Sequence, residues 1–228
     1  MTRSSISLVS LVVTAMLLAY GAASSSLADE SKESKESKEK DKSPATKLLE
    51  MGVELSPADK VALAGYQLLD QGKVDEAMKS FDEALRLKPN HVGAMSGQAV
   101  IYRKRGDMKK YFQLMDEVIK RDPRCQYFYG RASDYVDLKK WDLAIADFKD
   151  CIRTDNKDRF PDAPFQLACC YVETKRFAEA LPYLNQYLDK VKDNANAYAL
   201  RAVVLEKTGN PDEAVKDMKR AKDLGLKL

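Results

Sequence analysis

The chain is poor in the residues that carry most enzymatic chemistry. Its 228 residues include one histidine, His91, which follows Pro89-Asn90 in an expected loop. Histidine triads, imidazole metal sites and histidine acid/base pairs need that side chain beside other reactive groups, so one isolated ring leans against them. No HExxH, GxGxxG, Walker lysine loop, GxSxG elbow or paired CxxC is present. Asp155-Asn156-Lys157-Asp158 lacks the glycine and terminal glutamate of a calcium loop, and reads as a solvated run. Charge of one sign is also lacking. Lysine and arginine total 38 against 35 acidic residues, a formal charge of +3. Nucleic acid demands a concentrated basic surface; Arg103-Lys104-Arg105 with Lys109-Lys110 is only a local cluster, read as a solvated turn, so no nucleic acid is expected. Neither a metal nor a cofactor is expected, nor catalysis.

Long hydrophobic runs are missing too. The longest apolar stretch, Ile6 to Tyr20, is interrupted by Ser7, Ser10 and Thr14, and falls short of the roughly 20 residues of a spanning helix. With Arg3 before it and Ser26-Leu27-Ala28 after it, the order is that of a secretory signal peptide over 1–28, cleaved after Ala28. The mature chain is then expected to be secreted or periplasmic, with no membrane span. Residues 29–45 follow as a charged linker containing three SKE triplets. It has too little apolar surface to offset the entropy of ordering it.

What the chain does have is internal repetition. With Gly72, Gly106, Lys139, Lys175 and Gly209 as reference points, the same residue types recur at fixed offsets. Seven before each stands a small residue: Gly65, Ala99, Ala132, Ala168 and Ala202. Four before stands a large one: Leu68, Tyr102, Tyr135, Tyr171 and Leu205. Five after come Ala77, Tyr111, Ala144, Ala180 and Ala214; nine after come Phe81, Met115, Phe148, Leu184 and Met218. Small residues on both sides of a turn let two antiparallel helices approach, and the large ones fill the seam. Glycine at the turn suits a helix end that needs positive φ, and Pro89 and Pro123 stop second helices.

Segments 71–89, QGKVDEAMKSFDEALRLKP, and 208–225 resemble tetratricopeptide repeats. The resemblance implies an all-α fold, a right-handed α-α superhelix of about five helix pairs within 46–228. The units fall near 58–91, 92–124, 125–158, 161–194 and 195–228, with Thr46 to Leu55 packing as a half-unit. Ser56-Pro57-Ala58-Asp59 starts the first helix with a cap and a first-turn carboxylate. Departures from the pattern carry their own expectations. Tyr111 stands where the family has alanine, so the second pair must separate or the ring must lean outward. Lys139 and Lys175 in place of turn glycine, and Asn156 and Lys192 in place of the closing proline, predict longer helices or softer turns. Extra residues near Asp158-Arg159-Phe160-Pro161 predict a loop, and Pro182 falls early in a second helix.

The family's first helices line a concave groove, so the resemblance implies a non-catalytic interaction module that holds a peptide or protein segment there. The alternative is a structural, self-associating adaptor of a cell-envelope assembly. Members that clamp a chaperone carboxy terminus place asparagine six before the turn reference in successive units. Here those positions are Tyr66, Val100, Ser133, Cys169 and Val203. Ten before the reference, Ala62, Ser96, Tyr129, Phe165 and Ala199 make the centre apolar. The expected groove residues are therefore Tyr66, Arg103, Lys104, Tyr129, Phe165 and Val203, with Tyr129 and Phe165 as anchors and Arg103 and Lys104 favouring acidic flanks.

All four cysteines fall in the third and fourth units. An exported chain meets an oxidising environment. Cys151 lies on a second helix and Cys170 on the stripe of a first helix facing the preceding unit, so these two are the expected disulfide, with Cys125 unpaired.

Overall fold

A computed structural model describes residues 55–155 and 158–226. The expected signal peptide, linker and half-unit lie outside the described residues, apart from Leu55. Those residues form α-helices joined by turns, with no strand among them: a helical-repeat solenoid built from two compact units divided at Pro123/Arg124. No helix among them is long and apolar enough to cross a membrane.

The first unit holds α1 (Pro57–Asp70), α2 (Val74–Leu87), α3 (Val92–Lys104) and α4 (Met108–Arg121). Helix α1 begins as its sequence suggests. Ser56 Oγ accepts from the Asp59 amide at 3.2 Å, and the Asp59 carboxylate accepts from the Ser56 amide at 3.0 Å. This reciprocal box satisfies two backbone donors that a helix start otherwise leaves open. The seam is organised around Phe81, which is fully buried. A Cβ at Gly65 would lie 2.7 Å from its ring and one at Gly97 only 2.3 Å away, so glycine there is what lets α1 and α3 close on one aromatic side chain. The Tyr111 ring does not lean outward. It is buried, 5.0 Å from the Phe112 ring, and is accommodated inside the packing.

The second unit holds α5 (Cys125–Asp137), α6 (Trp141–Thr154), α7 (Ala163–Glu173), α8 (Phe177–Lys190), α9 (Ala195–Lys207) and α10 (Pro211–Asp223). Its core runs through Phe148, Phe165, Leu167, Tyr171, Leu184 and Leu200. The softer turns expected at Lys139 and Lys175 are not there. Both lysines take positive φ, 56° and 59°, in the same left-handed region as Gly72 at 75° and Gly106 at 77°. The same pair of bonds closes each turn: Lys140 N to Tyr135 O at 2.8 Å corresponds to Lys73 N to Leu68 O at 2.9 Å. Register between the helices thus imposes the backbone, and lysine bears the roughly 1 kcal/mol or more that a Cβ costs there. The loop expected before Pro161 is present; the Asp155 carboxylate accepts from the amides of Arg159 at 3.2 Å and Phe160 at 2.8 Å. Pro182 lies inside α8, on an exposed face.

Two ion pairs repeat within this unit at the same spacing. Arg131 donates to both carboxylate oxygens of Asp147, each at 2.7 Å, and Arg201 to those of Asp217 at 2.6 and 2.9 Å. Each joins the two helices of one pair, and both carboxylates are buried.

Candidate peptide-binding surface

In the first unit, Tyr66 on α1 reaches across to α3. Its hydroxyl donates to the Gly93 carbonyl at 2.7 Å and lies 2.7 Å from Ser96 Oγ. Its ring meets Phe81 edge-on, with centroids 5.1 Å apart. The residue six before one turn therefore touches residues thirteen and ten before the next, so successive first helices share one face. Further along that stripe of α3, Val100 is 39% exposed, and Arg103 and Lys104 are both exposed. The unit offers an apolar strip with a cationic end.

The second unit uses the corresponding positions differently. Tyr129 is half-buried between Phe148, edge-on at 5.5 Å, and Phe160 at 5.0 Å. Phe165, expected as an exposed anchor, is 1% exposed and lies 5.1 Å from the Tyr187 ring on α8. Val203, also expected in the groove, is buried, as is Cys169 at the corresponding position of the preceding unit. For Phe165 the reason is antiparallel pairing: the start of α7 lies beside the end of α8, its own second helix, and the ring is drawn into that contact.

The same geometry corrects the expected disulfide. Cys151 is bonded to Cys125, with Cα atoms 4.0 Å apart, and Cys170 is a free, buried thiol, as is Cys169. Cys125 opens α5 and Cys151 closes α6, so they meet within one helix pair. Burial pushes the Cys170 thiol up to about 12 and raises that of Cys169 further, which removes thiolate character and hence nucleophilicity at neutral pH.

His91 is the N-cap of α3. Its Nδ1 accepts from the Ala94 amide at 2.9 Å, and its Nε2 lies 2.9 Å from the Asp59 carboxylate. The Ser56 hydroxyl also hydrogen-bonds that carboxylate, at 2.5 Å. Serine, aspartate and histidine are thus together, and both imidazole nitrogens are engaged, one with the cap of α3 and the other with the carboxylate. The group clasps the starts of α1 and α3. Asp59 is held below the usual carboxylate value first by its bond from the Ser56 side chain and then by His91, against the raising effect of burial. Among the described residues no group of histidine, cysteine, aspartate and glutamate side chains is placed to hold a metal.

One arrangement went unread in the sequence. The tyrosines four before the turn reference each carry a cation over the ring: Lys110 over Tyr102 at 4.9 Å, Arg131 over Tyr135 at 5.9 Å and Arg176 over Tyr171 at 4.7 Å. The signal lay in the sequence as a recurring tyrosine with basic residues at changing offsets, and only the folded helices bring them together.

Profiles described as "Tetratricopeptide repeat" match residues 63–124, 135–204 and 195–224. The chain belongs to the tetratricopeptide repeat family. It is 30% identical over 136 residues to "TPR repeat-containing protein YpiA" of Bacillus subtilis (strain 168), covering 58% of this chain and 31% of that protein. It is 24% identical over 181 residues to human "DnaJ homolog subfamily C member 7", covering 72% and 36%. The chain therefore spans about a third of the length of these curated relatives. Among solved structures, YrrB, described as "a TPR protein with an unusual peptide-binding site", aligns with a TM-score of 0.63 at 19% identity, covering 80% of this chain and 93% of that one. A crystal structure of MamA aligns with a TM-score of 0.61 at 19% identity, covering 75% and 97%. These likenesses establish the fold.

Proposed function

We propose that this tetratricopeptide repeat protein is a non-catalytic, exported interaction module that holds a peptide or protein segment on the face of its first helices. The observation that carries the reading is the shared stripe of α1 and α3, where Tyr66, Ser96 and Gly93 meet and Val100, Arg103 and Lys104 stand exposed. Apolar contact with Val100 and charge contact with the two cations suit a segment that alternates apolar and acidic residues. The peptide-binding site ascribed to YrrB supports a polypeptide ligand on this fold. Export is supported by the apolar segment at the start of the chain and by the Cys125–Cys151 bond, since disulfides persist mainly in oxidising compartments.

The test is capture of partners from the extracytoplasmic fraction with wild-type protein and with the Arg103→Glu/Lys104→Glu double variant. Specific partners should be held by the wild type and lost by the variant; equal capture sinks the assignment of the face. Intact mass of the product isolated from that fraction checks the export reading. A chain beginning at Asp29 supports it, and retention of residues 1–28 on membranes overturns it.

A further inference from the structure

The last helix pair contains a cleft that its predecessor fills with its own side chains. One repeat earlier, α6, α7 and α8 enclose Tyr171, which is 1% exposed and stacks on Tyr183 with centroids 5.9 Å apart and ring planes 18° apart. Cations bracket the phenol: Arg176 lies 4.7 Å and Lys149 5.5 Å from the ring centroid. Lys149 is also raised above the usual lysine value chiefly by its hydrogen bond to Tyr171.

Stepping one repeat along the chain, 36 residues from Lys149 and 34 from the others, replaces that filling. Leu205 stands for Tyr171, Asp217 for Tyr183, Asn185 for Lys149 and Arg201 for Leu167. What results between α8, α9 and α10 is an open cleft of about 340 Å³, lined by these four residues and Leu181 among others. That is the lower end of the size range of small-ligand sites. Glu213 and Lys216 stand among the other lining residues, while Arg201, Asp217 and Asn185 are fixed in position. Asp217 holds Arg201 through two bonds, and a third guanidinium nitrogen of Arg201 donates to Asn185 Oδ1 at 2.9 Å. With its oxygen so engaged, the Asn185 carboxamide has its Nδ2 hydrogens to donate into the cleft, at the repeat position that Lys149 holds one unit earlier. Leu181 and Leu205 supply the apolar walls.

We propose that this cleft receives a tyrosine side chain of a bound polypeptide, with its ring against Leu181 and Leu205 and its hydroxyl accepting from Asn185. The site lies within the second unit and does not depend on the α1/α3 face, so either assignment can fail without the other. It takes from an incoming chain the group that the preceding repeat supplies for itself. Tyrosine is favoured over phenylalanine because an amide donor covered by a bare ring loses its water without replacement, and over leucine because a flat ring fills the slot and lies against the Arg201 plane.

The test is an amide chemical-shift titration of the isotope-labelled full chain with acetyl-Ser-Tyr-Ser-amide, and with the phenylalanine and leucine versions. Saturable shifts centred on Asn185, Leu205 and Asp217 are expected at millimolar peptide, with tyrosine two- to tenfold tighter than phenylalanine, the worth of one hydrogen bond. Leu205→Tyr restores the filling of the preceding repeat and should weaken binding at least tenfold. Asn185→Ala, at an exposed position, should erase the preference for tyrosine while leaving the fold intact by circular dichroism; it carries the test if Leu205→Tyr does not fold. Three results overturn the proposal: shifts that do not saturate at the cleft, an unchanged preference in Asn185→Ala, or the same shifts on concentrating the protein without peptide. The last would assign the cleft to a second copy of the chain.

Discussion

The two units close the same kind of seam by different means. In residues 55–123 the contact is made by subtraction: Gly65 and Gly97 clear the space that Phe81 fills. In residues 124–226 it is made by addition. Phe148 occupies the position equivalent to Phe81, Ala132 and Gln166 stand where the glycines were, and Tyr129 and Phe160, two buried ion pairs and a disulfide join the packing. One unit depends on a single ring, and the other spreads the same task over several contacts. In a repeat array, stability is roughly a sum of such local terms, so the units are expected to fail separately.

The largest effect should come from Phe81→Ala. Removing a fully buried aromatic costs about 3–5 kcal/mol, and glycines on both sides leave nothing to fill the space. Amide exchange should accelerate throughout α1 to α3 while α7 to α10 keep their protection. Phe148→Ala should cost less, because Tyr129 and Phe160 can collapse onto the gap. Equal losses in denaturant melts of the two variants would remove the contrast.

Arg131→Ala leaves Asp147, with 6% of its side chain exposed, without its guanidinium. Stranding a buried charge of this kind costs about 3–5 kcal/mol. Arg131→Met with Asp147→Leu should recover most of it, and a double-mutant cycle would show whether the pair or merely its intactness matters.

Reducing Cys125–Cys151 should cost about 3–4 kcal/mol by loop entropy for a separation of 26 residues. The loss should be confined to the second unit. A thermal scan with and without reductant that moves the transition of the first unit instead would break the comparison.

Ser56→Ala has the smallest expected effect, about 1 kcal/mol at the start of α1. It also carries a pH signature. Asp59 has a folded pKa below its ordinary 3.8, so its contribution is present above that value and is lost as pH falls through the lower, folded one. The difference in melting temperature between wild type and variant should therefore shrink as pH falls below 3.8 and through the lower folded value.

How much of this was legible in the sequence follows from what each feature depends on. The helix pairs were legible because small and large residues recur at fixed distances from the turn, and that periodicity is a property of one strand of text. Turn geometry at Lys139 and Lys175 was not, since residue preference argued against left-handed lysine and tertiary register overrode it. The stripe of a first helix points to the neighbouring pair, whereas residues at the open ends of one pair, such as Cys125 and Cys151 or Phe165 and Tyr187, are already adjacent. On the candidate surface, the Arg103 and Lys104 end of the stripe was legible as charge, while the burial of Phe165 and Val203 depends on packing that no offset encodes.

The bond between Cys125 and Cys151 also has a mechanical meaning. A solenoid pulled by its ends unravels one helix pair after another, each adding its length of chain to the tether. The third pair cannot give up the 26 residues of separation locked between its cysteines, about 90 Å of contour at ~3.4 Å per residue. Stretched in an optical trap, the oxidised protein should come up short by that length, and reductant should return it in a single lengthening of the final extended state.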